Sequence, residues 1–273
     1  CLREPTDRKA HKLLREVDSS SAQKVELIQT QGPFSTASLY DRVELSPNFS
    51  LSATSISNFV ECPARFFFEK VIKLWMPPAS RAIFGTLIHN ILKEFHVQFN
   101  NPEKLNSGNA EQEIQNLIKK AWQERGDLFP TPFEQKIFFS LGKRMLKQYL
   151  EKESKREGWE TMALELDFNH TVSDILIRGR VDRIDSCNGF SELIDYKTSR
   201  TFKMEKALLS QIENGEDFQL PVYYYSLKGM FPLAFVSIYW LSKTTGKMRA
   251  TLDLKDKNVQ EVMAVSYTHL TLP

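Results

Sequence analysis

The chain has 273 residues, of which 41% are hydrophobic and 26% charged, so it is long enough and apolar enough to bury a sizeable core. Its formal net charge of +2 is not the strongly basic balance of a protein that binds nucleic acid by charge alone, and it neither supports nor excludes a DNA substrate. The three cysteines, Cys1, Cys62 and Cys187, are too far apart for a disulfide framework, which favours a reducing compartment such as the bacterial cytoplasm, and no apolar run is long enough for a membrane span.

Composition divides the chain into three parts. Residues 1–50 are polar and contain Gly32-Pro33 and Ser46-Pro47, which is typical of a linker that follows an upstream region. Residues 51–264 alternate between helical and strand patterns and are expected to form one domain. The last segment, VSYTHLTLP (265–273), resembles a translated sequencing adapter and is expected to be a non-native tail.

Four helices are predicted before the first long strand. Residues 51–74 have near-helical apolar spacing that Pro63 is expected to divide, and residues 81–99 carry a broad apolar stripe bordered by His89. Residues 110–126 and 133–157 follow as two further helices. A lone histidine beside an apolar stripe is usually a structural residue, which is the interpretation given to His96.

Strand and helix signals alternate in the second half. A strand begins at Met162, and its alternation places Glu165 and Asp167 on one face. Two helices are predicted after residue 204, and the second places Gln219 and Tyr223 one turn apart on one face. These helices are predicted at 205–212 and 218–231, and two further strands are predicted at 234–242 and 247–254.

Residues 175–199 predict a β-hairpin. The dipeptide Asn188-Gly189 lies between two alternating apolar runs, and both central residues of a type I′ turn need positive φ. A two-residue loop fixes the register, so that every opposed pair can be read from the sequence. The expected opposed pairs are Cys187 with Phe190, Asp185 with Glu192, Asp182 with Asp195, and Arg180 with Lys197, with the pair at 185 and 192 on the other face.

The pair Asp182 and Asp195 suggests a cation site. Two opposed carboxylates about 5 Å apart repel by roughly 3 kcal/mol at an effective dielectric constant of about 20. Mg²⁺ is a natural partner, because it takes one or two carboxylates and leaves positions for water and phosphate. An ordinary surface hairpin, in which Lys197 and Arg180 balance the two acids, remains the alternative.

Five segments in order resemble the PD-(D/E)XK nucleases, in the version found in RecB-like and AddB-like nuclease domains. The resemblance covers about residues 51 to 240, and it implies an α/β fold with a restriction-endonuclease-like core, in which a central mixed β-sheet is flanked by helices. The matching segments are GTLIHNILKEF (85–95), ALELDF (163–168), GRVDRID (179–185), ELIDYKTS (192–199) and QLPVYYY (219–225).

The resemblance also implies roles for individual residues. The implied catalytic residues are Asp182, Asp195 and Lys197. The implied ligands of Mg²⁺ or Mn²⁺ are Asp182, Asp195, the main-chain carbonyl of Tyr196, His89 and Glu165. The implied substrate-binding residues are Gln219, Tyr223 and Arg180, of which the first two would position the DNA backbone or the lysine.

The implied activity is a metal-dependent DNA exonuclease, as the nuclease domain of a helicase–nuclease that acts in double-strand-break repair and recombination. Its partners would be DNA and a helicase subunit or an upstream helicase-like domain. Cys62, in ECPARFFFEK, matches the first of four cysteine ligands of an iron–sulfur cluster in AddB-like nucleases. No cysteine follows Cys187, so a 4Fe–4S cluster is expected only in a longer chain, and a buried packing cysteine is the alternative.

Three other interpretations remain open. The chain could be a DNA-binding module without catalysis, although the intact Asp182, Asp195 and Lys197 disfavour that. It could be an iron–sulfur-stabilised structural part of a helicase complex, or a free-standing exonuclease of the kind linked to CRISPR adaptation.

Overall fold

The computed structural model describes residues 49–74, 77–172, 175–199, 201–242 and 248–268. The predicted linker, residues 1–50, therefore lies almost entirely outside the described residues, as do residues 269–273 of the predicted tail. Among the residues described, no helix is both long and apolar enough to cross a membrane.

A six-stranded mixed sheet forms the centre of the described chain, which confirms the predicted fold class. The strands are β1 (Ser50–Leu51), β2 (Glu160–Val172), β3 (Ile175–Cys187), β4 (Phe190–Lys197), β5 (Leu233–Trp240) and β6 (Arg249–Asp253). Their order across the sheet is β1-β3-β4-β5-β6, with β2 also paired to β3. The pairs β1–β3 and β4–β5 are parallel, and the pairs β2–β3, β3–β4 and β5–β6 are antiparallel.

The helical segments predicted after residue 50 all occur, whereas the helices Pro102–Leu105 and Lys257–Thr268 were not predicted. Pro63 divides the first helical segment as expected, and the chain continues from it into a π-helical turn at Phe67–Val71. A turn of 3₁₀-helix, Gly126–Leu128, precedes the long helix Pro132–Glu153. The α-helices are α1 (Ala53–Glu61), α2 (Pro63–Phe66), α3 (Ser80–Gln98), α4 (Pro102–Leu105), α5 (Asn109–Arg125), α6 (Pro132–Glu153), α7 (Glu205–Glu213), α8 (Gln219–Leu227) and α9 (Lys257–Thr268).

The two faces of the sheet bury separate hydrophobic clusters. One cluster joins β3, β4 and β5 to α1, α7, α8 and α9, with Leu193 and Val236 fully buried in it. The other joins β4 and β5 to α3, α5 and α6, with Ile194 and Tyr196 among its members. Successive side chains of a strand point to opposite faces, which explains why Leu193 and Ile194 belong to different clusters. Helices therefore cover both faces of β4.

The β3–β4 hairpin has the predicted turn. Asn188 and Gly189 have φ values of 50° and 80°, and the register from Cys187–Phe190 to Arg183–Ile194 is as predicted, with Asp185 opposite Glu192. The paired register ends at Arg183–Ile194, while β4 stays paired with β5 as far as Lys197. The hairpin ladder therefore stops one pair before Asp182 and Asp195, so the predicted opposition of these two acids is not a pair of this ladder.

Gly179, at the start of the GRVDRID segment, lies under an aromatic ring. It is paired with Phe168 of β2, and a Cβ atom at this position would lie 2.3 Å from Cζ of the phenyl ring. Phe168 is buried and contacts Tyr223 edge-to-face, so the ring has little room to withdraw.

Gly179→Ala is therefore expected to lower the free energy of unfolding by roughly 1–3 kcal/mol through overpacking. Urea denaturation checks this value. Gly229→Ala is the matched control, because a Cβ atom there meets nothing within 4 Å. Equal midpoints for the two variants would contradict the packing argument.

Candidate active site

Three predicted ligands from three different elements meet at one point. His89 of α3, Glu165 of β2 and Asp182 of β3 offer ligand atoms that all lie within 4.8 Å of one another. His89 Nδ1 lies 3.1 Å from Asp182 Oδ1. Two carboxylates and one imidazole, all partly buried, form a donor set that suits a divalent cation.

Local backbone features bring these side chains together. Gly85 lies one turn before His89, and a Cβ atom there would be 3.3 Å from Thr198 Oγ1, so a glycine lets α3 approach the end of β4 closely. Glu165 has a φ of 48° within β2, a left-handed conformation that costs a non-glycine residue roughly 1–2 kcal/mol. Neighbouring pairs of the β2–β3 ladder place this residue opposite Asp182. Strain of this kind concentrates at functional sites.

Asp182 is held from β4 by a main-chain group. The N–H of Tyr196 donates a hydrogen bond of 2.6 Å to Asp182 Oδ2, just beyond the last ladder pair of the hairpin. The motif resemblance implies a role for the carbonyl of Tyr196 and none for this N–H. The carbonyl as a ligand remains a prediction.

Asp195 lies beside the three candidate metal ligands and takes part in a chain of polar contacts. Its Oδ2 forms an ion pair of 2.8 Å with Lys197 Nζ, and its Oδ1 accepts a 2.6 Å hydrogen bond from Gln219 Nε2. Gln219 Oε1 accepts in turn from Lys197 Nζ at 2.6 Å, and Gln219 Nε2 also donates to the hydroxyl of Tyr223 at 2.8 Å. Gln219 thus contacts both the acid and the lysine, and Tyr223 contacts Gln219. Their predicted role of positioning the DNA backbone or the lysine remains a prediction.

Burial and neighbouring acids shift the pKa values of the groups at this point. Burial and the charge of Asp182 raise the pKa of Asp195 to about 6, against the pairing with Lys197, which lowers it. Burial and the charge of Asp182 also raise the pKa of Glu165. Burial lowers the pKa of His89, but its hydrogen bond to Asp182 and the surrounding acids outweigh this, so that the pKa lies above its usual value. A cation bound here would favour the ionised form of both carboxyl groups, because its charge would offset the repulsion between the acids.

Arg180 does not lie where the extended register placed it. Its Nε lies 2.7 Å from Asp167 Oδ1, and its Nη1 lies 3.7 Å from Glu165 Oε2, so the predicted pairing of Arg180 with Lys197 is wrong. The reason is that the β3–β4 ladder ends at Arg183, whereas Arg180 remains paired with Asp167 across β2. More than half of the Arg180 side chain is exposed, at the edge of the group formed by Glu165 and Asp182.

Cys62 takes no part in the hydrogen bonds and ion pairs described above. It is a partly buried free cysteine at the junction of α1 and α2, and Cys187 is the other free cysteine in the described part of the chain. Its predicted role as a cluster ligand remains a prediction. His96 has the structural role expected of it, since it is buried and hydrogen-bonded to the carbonyl of Phe99, and its pKa is lowered to about 3 by burial and by Arg183.

A buried polar cluster on the α6 side of the hairpin was not predicted from the sequence. Arg183 and Arg156 bind the acids Asp185, Glu153 and Glu192 at 2.5–2.6 Å. The opposed acids Asp185 and Glu192 are thus bridged by a guanidinium group. We call this cluster the α6 network; it comprises His96, Tyr149, Glu153, Arg156, Arg183, Asp185, Glu192 and Tyr196. The only signal in the sequence was the opposed pair of acids.

The fold and the site together define a class of protein, a mixed α/β sheet with acids and a lysine gathered where two central strands separate. The model of the PD-(D/E)XK nuclease superfamily matches residues 50–269. The chain therefore belongs to the PD-(D/E)XK nuclease superfamily. A comparison with curated proteins finds no match.

Two solved structures resemble the chain at low identity. One, described as "Putative exonuclease", comes from Eubacterium rectale; it is 11% identical, with 81% of this chain and 78% of that chain covered at a TM-score of 0.47. The other is SSO0001, which is 15% identical, with 70% of this chain and 88% of that chain covered at a TM-score of 0.26.

Proposed function

We propose that the chain is a metal-dependent deoxyribonuclease that acts as an exonuclease on DNA ends, as the nuclease part of a helicase–nuclease in double-strand-break repair and recombination. The observation that carries the proposal is the position of the ion pair between Asp195 and Lys197 beside the ligand group of His89, Glu165 and Asp182. The motif order that resembles RecB-like and AddB-like domains supports the exonuclease and helicase assignments.

The donor set fits Mg²⁺ or Mn²⁺, which His89, Glu165 and Asp182 would hold, with Asp195 and the carbonyl of Tyr196 as further candidates. When bound, such an ion lowers the pKa of a water molecule and polarises a phosphoryl oxygen. Ligand binding at Asp195 requires that the carboxylate share its contacts with Lys197 and Gln219.

Lys197 provides the positive charge of the proposed reaction. Burial lowers the pKa of its ammonium group, but the charge of Asp195 outweighs this and raises the pKa above its usual value, so the group is protonated at neutral pH. A third of the side chain is exposed, so the ammonium group can reach a phosphate. It would stabilise the negative charge that develops on the phosphate, while Gln219 holds it in place. Arg180, at the exposed edge, would contact a neighbouring phosphate of the strand.

Removal of the metal ion tests the proposal. Linear single-stranded DNA with labels at either end is expected to be degraded with Mg²⁺ or Mn²⁺, to remain intact with EDTA, and to be degraded again when excess Mg²⁺ is restored. Closed circular single-stranded DNA and an RNA of the same sequence serve as comparison substrates. Cleavage of the circle would contradict exonuclease action. DNA binding without cleavage under every metal condition would favour the module that lacks catalysis.

A further inference from the structure

The α6 network and the candidate active site share the same two strand segments. Asp182 is followed by Arg183 on β3, and Asp195 is followed by Tyr196 on β4. The first member of each pair belongs to the site, and the second belongs to the network. A strand directs successive side chains to opposite faces, so a displacement of the network residue moves the neighbouring site residue with it.

The strands separate at the point where the site lies. The β3–β4 ladder ends at Arg183–Ile194, so no ladder pair beyond it fixes Asp195 relative to Asp182. Tyr196 contacts β3 through both its main chain and its side chain. Its N–H binds Asp182 Oδ2 at 2.6 Å, and its hydroxyl accepts a hydrogen bond of 3.1 Å from Arg183 Nη1.

The hydroxyl of Tyr196 is also fixed from α6. Its oxygen lies 2.9 Å from the hydroxyl oxygen of Tyr149, which itself accepts a 2.6 Å hydrogen bond from Arg183. Tyr196 and Tyr149 are both buried, and Arg183 is 3% exposed. A buried hydroxyl group is costly without a partner, whereas a phenylalanine could fill the same space without this requirement. The hydroxyl of Tyr196 therefore provides a directional contact that the packing of the ring does not need.

We propose that Tyr196 is a positioning residue of the active site, and that the α6 network sets the separation of Asp182 and Asp195 through the tyrosine hydroxyl. The inference rests on the proposed function, because it assigns the contact to metal binding and cleavage. Groups that orient metal ligands from outside the ligand shell typically change metal affinity or activity by about 10–100-fold when they are removed. Tyr196→Phe removes the hydroxyl and retains the ring, the N–H and the burial.

The test compares Tyr196→Phe with the wild type by Mn²⁺ titration calorimetry, cleavage kinetics and thermal unfolding. The dissociation constant for Mn²⁺ is expected to rise about 10-fold, and kcat at saturating metal to fall by a similar factor, with KM for DNA unchanged. Tyr149→Phe removes the partner on α6 and is expected to weaken Mn²⁺ binding in the same direction. The double variant should be no worse than the more affected single variant, because both changes act through one contact.

Tyr239→Phe is the matched control. This buried tyrosine lies on β5 in the same aromatic cluster, 6.1 Å from the ring of Tyr196, and is no part of the hydrogen bonds that join Arg183, Tyr149 and Tyr196. Its Mn²⁺ affinity and kcat are expected to equal those of the wild type. If Tyr196→Phe also stays within twofold of the wild type in both quantities, the positioning role is overturned. A wild type that binds Mn²⁺ but cleaves no nucleic acid would overturn the proposed function alone, because the Mn²⁺ affinities would still test Tyr196. Absence of Mn²⁺ binding to the wild type would overturn both.

Discussion

Asp195→Asn is expected to lower Mg²⁺-dependent cleavage by about a thousand-fold or more while the protein remains folded. The carboxylate holds Lys197 Nζ at 2.8 Å and is adjacent to the ligand group that contains Asp182. An amide of the same shape carries no charge, so it can neither attract the cation nor hold the ammonium group by an ion pair. Loss of roughly 4 kcal/mol of transition-state stabilisation corresponds to this factor.

The fold should tolerate Asp195→Asn because, in the absence of metal, the ionised carboxylate destabilises the folded protein. Burial raises the pKa of Asp195 to about 6, above its ordinary value of 3.8. A carboxyl group with a raised pKa in the folded state stabilises the protein below the unfolded value and loses that contribution as the pH rises through about 6. At pH 7 the variant is therefore expected to unfold no earlier than the metal-free wild type, although Lys197 loses its partner.

Single-turnover cleavage of end-labelled DNA and thermal unfolding measure the two effects. Asp253→Asn is the matched control, since Asp253 is an exposed acid at the end of β6 whose carboxylate accepts a hydrogen bond from the N–H of Lys255. Cleavage by Asp195→Asn at the rate of this control would exclude the proposed catalytic role. Cleavage that remains in the Asp195→Asn preparation would also reveal a contaminating nuclease.

The turn and the faces of the hairpin could be predicted because they depend on neighbouring residues. Asn188-Gly189 specifies a two-residue loop, and such a loop fixes the register of the pairs nearest to it. The same register placed Asp185 opposite Glu192, and the structure confirms that pair. A local signal of this kind needs no knowledge of the rest of the fold.

The position of Arg180 could not be predicted from the hairpin alone. The extended register assumed that β3 and β4 remain paired to their ends, but β4 continues beside β5 while the β3–β4 ladder stops at Arg183. Arg180 instead meets Asp167, its partner in the β2–β3 ladder. Where β4 leaves β3 depends on the elements that pack beside both strands, and the hairpin sequence does not contain them.

The site could be predicted in part because the motif resemblance indicated which residues, far apart in sequence, lie close together in the fold. Local patterns carry no such information. His89, Glu165 and Asp182 lie far apart in sequence, and the structure brings their ligand atoms within 4.8 Å. No motif in the resemblance covers the α6 network. Arg183 binds Glu153, which lies 30 residues away in sequence on another element. The opposed acids Asp185 and Glu192 were the signal that could have indicated the α6 network.

Arg183→Met is expected to lower the free energy of unfolding by about 3–5 kcal/mol. Arg183 is 3% exposed, and its guanidinium group donates to Asp185 Oδ1 at 2.6 Å and to Glu153 Oε1 at 2.5 Å. Methionine fills much of the same space, so the expected loss comes mainly from acids left without their full set of partners. Arg156 also binds both acids and limits the loss, because it retains one cation in the cluster.

The pH dependence of the unfolding free energy distinguishes the loss of charge pairing in Arg183→Met from a general packing defect. Burial raises the pKa values of Asp185 and Glu153, but the charge of Arg183 outweighs it, so that both pKa values lie below their ordinary values of 3.8 and 4.5. Carboxylates with lowered pKa values stabilise the wild type above those ordinary values, and this contribution is lost as the pH falls. Without Arg183 the same acids gain from protonation, so the deficit of the variant should be largest near pH 7 and shrink as the pH falls through about 4.

Urea denaturation at pH 7 and pH 4 measures the deficit, with Arg178→Met as the matched control. Arg178 is an exposed arginine on β3, and its replacement is expected to change the free energy of unfolding by no more than about 0.5 kcal/mol. Glu153→Gln added to Arg183→Met should recover part of the loss, because it removes one of the uncompensated charges. A deficit that is equal at both pH values and unaffected by Glu153→Gln would mean that Arg183 acts through its packing volume, and the α6 network would then hold Tyr196 by shape instead of charge.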